Sequence, residues 1–495
     1  MTYFESTRSG SKADGLTAVL EGIAEDGGLF VDPNLQEHSL CLDEIEGKSS
    51  FEISSMILHA LLPGFEDPEK LVQNGYQGKF SCGEILTPLV RISDDFSVLE
   101  LFHGPTSAFK DVALSLLPLL MSEARRRNEP EKQIVILTAT SGDTGKAALE
   151  GFRDVSGIRI LVFYPENGVS EVQRKQMVSQ EGRNVRVCAV KGNFDDCQTA
   201  VKKAFLELKR GGLLQNVILT SANSINIGRL VPQIFYYFSA YTQLLAERSI
   251  QKGELVDFSV PTGNFGDILA GYYAKKMGLP VGKLICASNQ NRILTDFLRT
   301  GEYDTNRTFH QTSSPSMDIL VSSNLERLLY YVSEGDKKFV SDCMQRLSTE
   351  GKYKVSESTL KRLQEEFCGY TADEEKTVKC IRKVFEEHGY LLDPHTAVAW
   401  SAAEQYKKET NSQRHMVVLS TASPYKFTDV VCRALGLTSK GTAYQDMRMI
   451  EGLTRTEAPR NLLKLESSAE RFQDVIGREE IVSYVQKYIE ERGEL

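Results

Sequence analysis

From about residue 95 onward the chain repeats one pattern. A short apolar, β-branched run gives way to a turn rich in Gly, Ser, Thr or Asp, and then to a stretch with helical spacing. Residues 134–137 form such a run, followed by the turn 138–145 and a helical segment from Lys146. Residues 158–163 lead into a helix over 171–181, and 185–190 into one that runs through Lys209. The runs 217–219, 258–260 and 284–287 supply further strands, each trailed by a helical stretch. Alternation of this kind predicts an α/β fold with right-handed crossovers and mainly parallel sheets covered on both faces. Ligands of such sheets bind beyond the carboxyl ends of the strands, in the turns just described.

The flanks read differently. In the first ninety residues, 26–33 reads as a turn, a short strand and a stop, and 49–62 carries helical spacing. The stretch 324–387 is charged and helical in period. The last fifty residues, rich in Glu and Arg, predict a solvent-facing helical tail. No internal repeat or low-complexity tract interrupts the chain.

A length of 495 residues suggests about three structural units. With 58 basic and 67 acidic side chains the formal net charge is −9, which removes any general nucleic-acid footprint. A small anionic ligand must therefore find local donors. The nine cysteines are scattered, with no CxxC pair, as expected for reduced thiols in an intracellular protein. The seven histidines lack HExxH-type spacing, so no metal site is expected. The opening residues lack the apolar core of a signal peptide. The longest apolar run, 112–121, contains Pro118 and is too short to cross a bilayer. The expectation is a cytoplasmic protein with no nucleic-acid or membrane partner, as a monomer or homodimer.

Three strand-to-helix or loop segments carry candidate chemistry. Gly263, Asn264, Phe265, Gly266 and Asp267 follow a strand and open a helix. Glycines there let backbone N–H groups crowd an anion at the positive helix end; a tight turn that binds nothing is the alternative. In the second segment, Thr140 to Lys146 resembles a phosphate loop but fails its spacing, with two residues between the glycines where four are needed. A nucleoside-triphosphate enzyme is disfavoured, leaving a hydroxyl-rich turn suited to a carboxylate or phosphate. In the third, Lys110 sits between Phe109 and an apolar helix, where desolvation can convert a lysine into a Schiff-base nucleophile. A snorkelling surface lysine is the other reading.

Taken together these segments resemble threonine synthase, a family of fold-type-II pyridoxal-phosphate enzymes related to the tryptophan synthase β subunit. The resemblance runs nearly end to end. Tyr3 to Arg8 and Asp26 to Val31 match its N-terminal region, Leu101 to Asp111 its cofactor-lysine motif, and Ser141 to Gly145 its substrate loop. Ser221 to Asn226, Pro261 to Asp267, Asp393 to Val398 and Thr421 to Phe427 follow in family order. The last motif departs from the family, which usually has His at Ser423 and Ala at Tyr425.

The resemblance implies three parts: an N-terminal domain over 1–92, a catalytic region over 93–435 with two α/β subdomains flanking a cofactor cleft, and a C-terminal helical extension over 436–495. It implies pyridoxal 5'-phosphate as cofactor, held on Lys110, which also acts as the mobile acid and base. Gly263, Asn264, Phe265 and Gly266 would hold the cofactor phosphate, with Asp267 capping the following helix. Thr421 would hydrogen-bond the pyridine nitrogen. The implied substrate is O-phospho-L-homoserine, converted with water to L-threonine and phosphate. Ser141, Asp143, Thr144, Asn226 and Arg229 are its candidate ligands, Asn226 and Arg229 being one helical turn apart. Lys146 is next in line for the phosphate. His103 and His395 are expected to be structural. A threonine-synthase-like phospho-lyase, releasing a 2-oxo acid and phosphate, is the alternative, although such relatives tend to lose the Asn264 to Asp267 pattern.

Overall fold

The computed structural model describes residues 3–192, 194–210 and 216–491. Its apolar runs pair into two main sheets. The first has the order Val475–Gly477, Val185–Lys191, Ile158–Pro165, Gln133–Ala139, Val217–Thr220, all parallel. The second has the order Phe367–Thr371, Val281–Ser288, Val256–Pro261, Met416–Ser420, Phe96–Glu100, Leu89–Arg91. Only its edge strand Leu89–Arg91 runs antiparallel. Helices cover both sheets, so inner strands such as Ile158–Pro165 and Met416–Ser420 are buried along their whole length. That is why they read as continuous apolar runs and not as alternating ones.

The N-terminal segment adds a three-stranded antiparallel sheet, Lys12–Ala13, Phe4–Ser6, Phe30–Val31. The helix Ser50–Leu61 behind it starts at a capping box, Ser49 with Glu52. One apolar cluster runs from Phe4 and Val31 through Leu114 and Ile136 to Leu284 and Leu419, joining this segment to both sheets. The helix Lys110–Asn128 lies in its middle, buried along most of its first three turns despite Pro118.

Two expectations about the flanks need correction. The charged stretch from Asn324 holds, besides four helices, the strands Lys352–Lys354 and Phe367–Thr371, the latter an edge of the second sheet. The last fifty residues are not simply a solvent-facing helical tail. Val475–Gly477 adds an edge strand to the first sheet, and the helix Ile481–Glu490 buries Ile481, Val485 and Tyr488 against it. Burying that stripe removes it from water on a sheet that would otherwise end in an open edge. No helix among the described residues is long and apolar enough to cross a membrane.

Candidate active site

The strand order of the second sheet assembles the site. Because Met416–Ser420 lies between Val256–Pro261 and Phe96–Glu100, the segments after all three strands emerge together. The segment 101–109 is stitched to the one carrying Thr421: Leu101 N–H donates to Ser420 O at 2.9 Å and Phe109 N–H to Thr421 O at 2.8 Å. Ser423 N–H donates to Ser107 O at 3.1 Å, and Ala108 bridges Ala422. Lys110 then opens its helix beside Thr421. A cavity of about 600 Å³ lies between the two sheets' loops. Lys110, Ser141, Thr144, Arg229, Gly263, Asn264, Phe265, Gly266, Asp267 and Thr421 all line it. Asp143 and Asn226 do not.

Lys110 is buried, and among the described residues its Nζ has only the Phe109 ring, 4.4 Å away, as a close partner. Burial pushes its amine down to about 8, Asp143 opposing the shift while Arg229 and Lys426 reinforce it. About a tenth of such an amine is neutral at pH 7, far more than of an ordinary lysine, and ready to add to a carbonyl or accept a proton. The snorkelling alternative does not fit this burial.

The 262–267 turn presents donors. The backbone N–H groups of Gly263, Asn264, Phe265, Gly266 and Asp267 have no protein acceptor among the described residues, whereas Thr262 N–H is bound by Ala287 O. The outward carbonyls are pinned instead, Gly263 O by Ser322 Oγ and Asn264 O by Asn324. Phe265 holds a left-handed backbone, φ 61° and ψ 8°, kept in place by its buried ring against Phe367. A Cβ on Gly263 would come within 2.3 Å of Ser316 O, while one on Gly266 would meet nothing closer than 3.4 Å. Gly263 is therefore required by close backbone packing, whereas a Cβ on Gly266, at the start of an 11-residue helix, would make only ordinary contacts with Asn324 and Ser224. Such a cradle suits a phosphate.

Asp267 does not cap that helix. Phe265 occupies the capping position without a side-chain bond, and the Asp267 carboxyl is buried, accepting from the hydroxyls of Tyr236 and Tyr237. Its Oδ2 has no partner, and burial pushes the group up to about 6. Nor does Asn226 face an anion. It caps the four-residue helix Ile227–Leu230, accepting from Gly228 N–H and donating to Val19 O at 2.8 Å. Arg229 stays in the cavity wall, buried, with one hydrogen bond to Ala222 O, an unpartnered Nε and no carboxylate in contact. Burial pushes its guanidinium down to about 10. An enclosed cation without a counter-ion is a receptor for an anion.

In the 140–146 turn, Ser141 and Thr144 reach the cavity, but Asp143 is bound to Lys426 Nζ at 2.7 Å and to Gln173 Nε2 at 2.9 Å. Lys146 is taken by Glu150 and Gln180 and lies outside the cavity, so it is not in reserve for the phosphate. His103 pairs with Glu100 at 2.7 Å. His395 does line the cavity: its Nδ1 lies 2.8 Å from Asp393 Oδ1, and its Nε2 accepts from Ser316 N–H at 3.3 Å. Both its ring nitrogens are thus used to hold loops. Sequence reasoning missed the pairing of Lys426 with Asp143 and that of Arg8 with Glu326, which closes one wall of the cavity through bonds of 2.8 and 2.9 Å. A buried, charge-bearing position in an otherwise apolar motif was the available signal for Lys426.

Comparison with known proteins gives the class first. Residues 83–422 match the family model described as pyridoxal-phosphate dependent enzyme, and residues 396–489 match threonine synthase, C-terminal. A solved structure of pyridoxal-phosphate-bound threonine synthase from Brucella melitensis superposes with a TM-score of 0.87 at 36% identity over 100% of both chains. The fold is that of fold-type-II enzymes. Threonine synthase of Pseudomonas aeruginosa is 41% identical over 423 residues, covering 84% of this chain and 86% of its own length. That of Saccharomyces cerevisiae is 39% identical over 464 residues, covering 87% and 89%. The chain belongs to the threonine synthase family and, like it, uses pyridoxal phosphate. It is also 39% identical over 434 residues to the Homo sapiens protein named threonine synthase-like 1, of whose length it spans 57%. The buried amine of Lys110, free of any ion pair among the described residues, and the five open N–H groups fit that cofactor.

Proposed function

We propose that this chain is a cytoplasmic threonine synthase, a lyase that eliminates phosphate from O-phospho-L-homoserine and adds water to give L-threonine. The observation that carries the reading is a pair of buried cations, Lys110 and Arg229, lining one cavity with no carboxylate bound to either. One is poised as an amine, the other as an anion receptor. A substrate with a carbonyl-reactive amino group, a carboxylate and a phosphate matches both.

Bound pyridoxal phosphate supplies the electron sink that stabilises negative charge developing at substrate Cα and Cβ. Lys110 would hold the cofactor through its amine, and with substrate bound that amine is placed to remove the Cα proton and then a Cβ proton. Arg229 binds the substrate phosphate and steadies it as it leaves Cγ. Ser141 and Thr144 orient the substrate carboxylate from the opposite wall. Lys110 returns one proton at Cγ, water then adds its hydroxyl at Cβ, and a proton returned at Cα completes threonine. The 263–267 N–H groups would hold the cofactor phosphate, and Thr421 would offer the pyridine nitrogen a neutral hydroxyl partner. The pinned wall at Arg8 and Glu326 limits water to what the reaction consumes.

A phospho-lyase yielding a 2-oxo acid is kept as a second reading, because several relatives at 39–40% identity are named threonine synthase-like 1. Incubation of the purified protein with O-phosphohomoserine decides between them. Threonine with stoichiometric phosphate supports the first reading; phosphate with a 2-oxo acid establishes the second; neither product removes both.

A further inference from the structure

Lys426 is fully buried and has no place in the chemistry just described. It follows the second-sheet strand Met416–Ser420, yet its Nζ reaches Asp143, which opens a helix on the first sheet, at 2.7 Å. The same Nζ donates to Thr106 O at 3.0 Å, a carbonyl that also accepts from Gln176 Nε2 at 3.1 Å. Thr106 in turn donates its N–H and hydroxyl to Asp111. The segment leading into Lys110 is thus clamped by one cation. A buried pair of this kind is weak evidence for stability, since desolvation consumes most of its Coulombic gain. Its use must be sought in what it does to its neighbours.

We propose that Lys426 is a positioning residue for Lys110: by occupying the Asp143 carboxylate and anchoring the Thr106 carbonyl, it denies Lys110 a direct ion pair and weakens that amine's hold on its proton. The proposal rests on the reading of Lys110 as the cofactor-holding amine. The groups around Lys110 make the case. Asp143 faces it from the helix Asp143–Gly151, Asp267 from the helix Gly266–Lys276, Arg229 from the helix Ile227–Leu230, and Lys426 from the segment after Met416–Ser420. On its own helix, Asp111 is engaged by Thr106. Asp267 accepts at Oδ1 from two tyrosine hydroxyls, its Oδ2 remaining without a partner, and Asp143 accepts from Lys426 and Gln173. Neither acid makes an ion pair with Lys110 among the described residues, although both charges favour its protonated form.

The signs are distinctive. Lys426→Met removes a repelling cation and frees an anion, so both effects make Lys110 hold its proton more tightly. Asp143→Asn removes the anion and leaves the Lys426 cation, so the proton is held less tightly. A merely structural pair would disturb the site in the same direction from either side. The test is the pH dependence of Lys110 acetylation by acetic anhydride, read by mass spectrometry on the full chain freed of cofactor, with circular dichroism confirming the fold. Relative to the parent, the midpoint in Lys426→Met is expected to move alkaline by about one pH unit, a tenfold loss of free amine at fixed pH. In Asp143→Asn it moves to the acid side, and in the double variant it returns towards the parent value. Lys426→Arg, which keeps the charge, shifts it little. Unmoved midpoints, or single variants that shift together, overturn the proposal. If Lys426→Met does not fold, Asp143→Asn alone decides, since an unmoved or alkaline midpoint refutes it. Borohydride trapping of the cofactor in the parent protein separates the two layers. An adduct on another lysine overturns the role of Lys110, while the labelling still measures what Lys426 does to it.

Discussion

Each sheet delivers a glycine-containing turn to the cleft, and the two turns differ in how they hold their glycine N–H groups, their carbonyls and their aspartate. After Gln133–Ala139, Thr140 Oγ1 accepts from both Gly142 N–H and Gly145 N–H, Gly142 O accepts from Lys146 N–H, and the Asp143 carboxylate is claimed by Lys426. After Val256–Pro261, the carbonyls are pinned from outside while five successive N–H groups are left open. The first turn satisfies its glycine N–H groups from within and presents Ser141 and Thr144 to the cavity, while the N–H groups of Ser141, Asp143 and Thr144 have no acceptor among the described residues. The second is satisfied on its acceptor side alone, and so awaits an anion. A Gly-rich strand-to-helix turn becomes an anion site only when its donors have been counted and found free.

The largest effect should come from the lysine between the two turns. Lys110→Ala is expected to remain folded but to lose the visible absorbance of lysine-bound pyridoxal phosphate and to reduce turnover by roughly 10³-fold or more. Threonine formation at a substantial rate by the purified variant would refute its role. Arg229→Ala should come next, raising KM for O-phosphohomoserine by about 10²-fold, because a buried guanidinium facing a phosphate is lost. Its cofactor absorbance should be unchanged. Arg229→Lys, with charge but no fork, should fall between. Asn226→Ala serves as the contrast, lowering the melting temperature through the lost helix cap with little direct effect on KM. Equal KM defects at 226 and 229 would return Asn226 to the binding site.

A third set of variants addresses the turns themselves. Gly266→Ala puts a methyl group in ordinary contact with Asn324 and Ser224 beside the open donors of the second turn and should weaken cofactor binding about tenfold with little change in melting temperature. Gly263→Ala drives a Cβ into Ser316 O, so its main effect should be on stability. Thr140→Val in the first turn orphans two N–H groups, costing about 2 kcal/mol of stability and leaving cofactor affinity intact. Cofactor titration and thermal melting of the three proteins measure both quantities. A loss of affinity in Thr140→Val matching that in Gly266→Ala would erase the distinction between the turns.

Much of this was legible in the chain, for physical reasons that also explain the gaps. Strands such as Met416–Ser420 are buried on both faces and therefore write themselves as unbroken apolar runs. Phe367–Thr371 is an edge strand of five residues, one of them Gly, inside a Glu- and Lys-rich stretch, and Val475–Gly477 has only three. Neither is long enough to establish a period. Lys110, Thr421 and the 263–267 turn could be found because motif and position agreed. Asn226 misled because the one-turn spacing to Arg229 presumes a helix through both. Asn226 is the residue before the helix, with extended backbone at φ −68° and ψ 129°, and its side chain folds inward. Asp143 misled because its partner Lys426 is remote in sequence, and no local spacing reveals a contact between loops of two sheets. Asp267 was expected to cap, but the left-handed Phe265 shifts the helix start so that the aspartate falls inside the first turn, beneath two tyrosines.

The smallest expected effect sharpens the comparison most directly, since each turn places one aspartate in the first turn of its helix. Burial raises Asp267 from 3.8 to about 6. Burial would also raise Asp143, but the nearby Lys426 and Lys110 charges overcome it and hold that carboxyl well below the usual range. An acid raised in the folded state contributes stability that is full below about pH 4 and is lost as pH climbs towards 6. An acid depressed in the folded state contributes stability that is present above about pH 4 and is lost as pH falls. The melting temperature of Asp267→Asn relative to the parent should therefore climb between about pH 4 and pH 6 and level off above. At about 1.4 kcal/mol per pH unit, the rise from 3.8 to about 6 bounds the effect at about 3 kcal/mol. Asp143→Asn should show the opposite sign, melting below the parent at neutral pH with the deficit shrinking as acid protonates the parent carboxyl. Measuring the two differences, not the absolute melting curves, removes opposing titrations such as that of buried His415, which is pushed down to about 4. If both variants depart from the parent with the same sign and pH trend, the two turns do not differ in how they hold charge, and the open donors of the second turn lose their significance as the distinguishing feature.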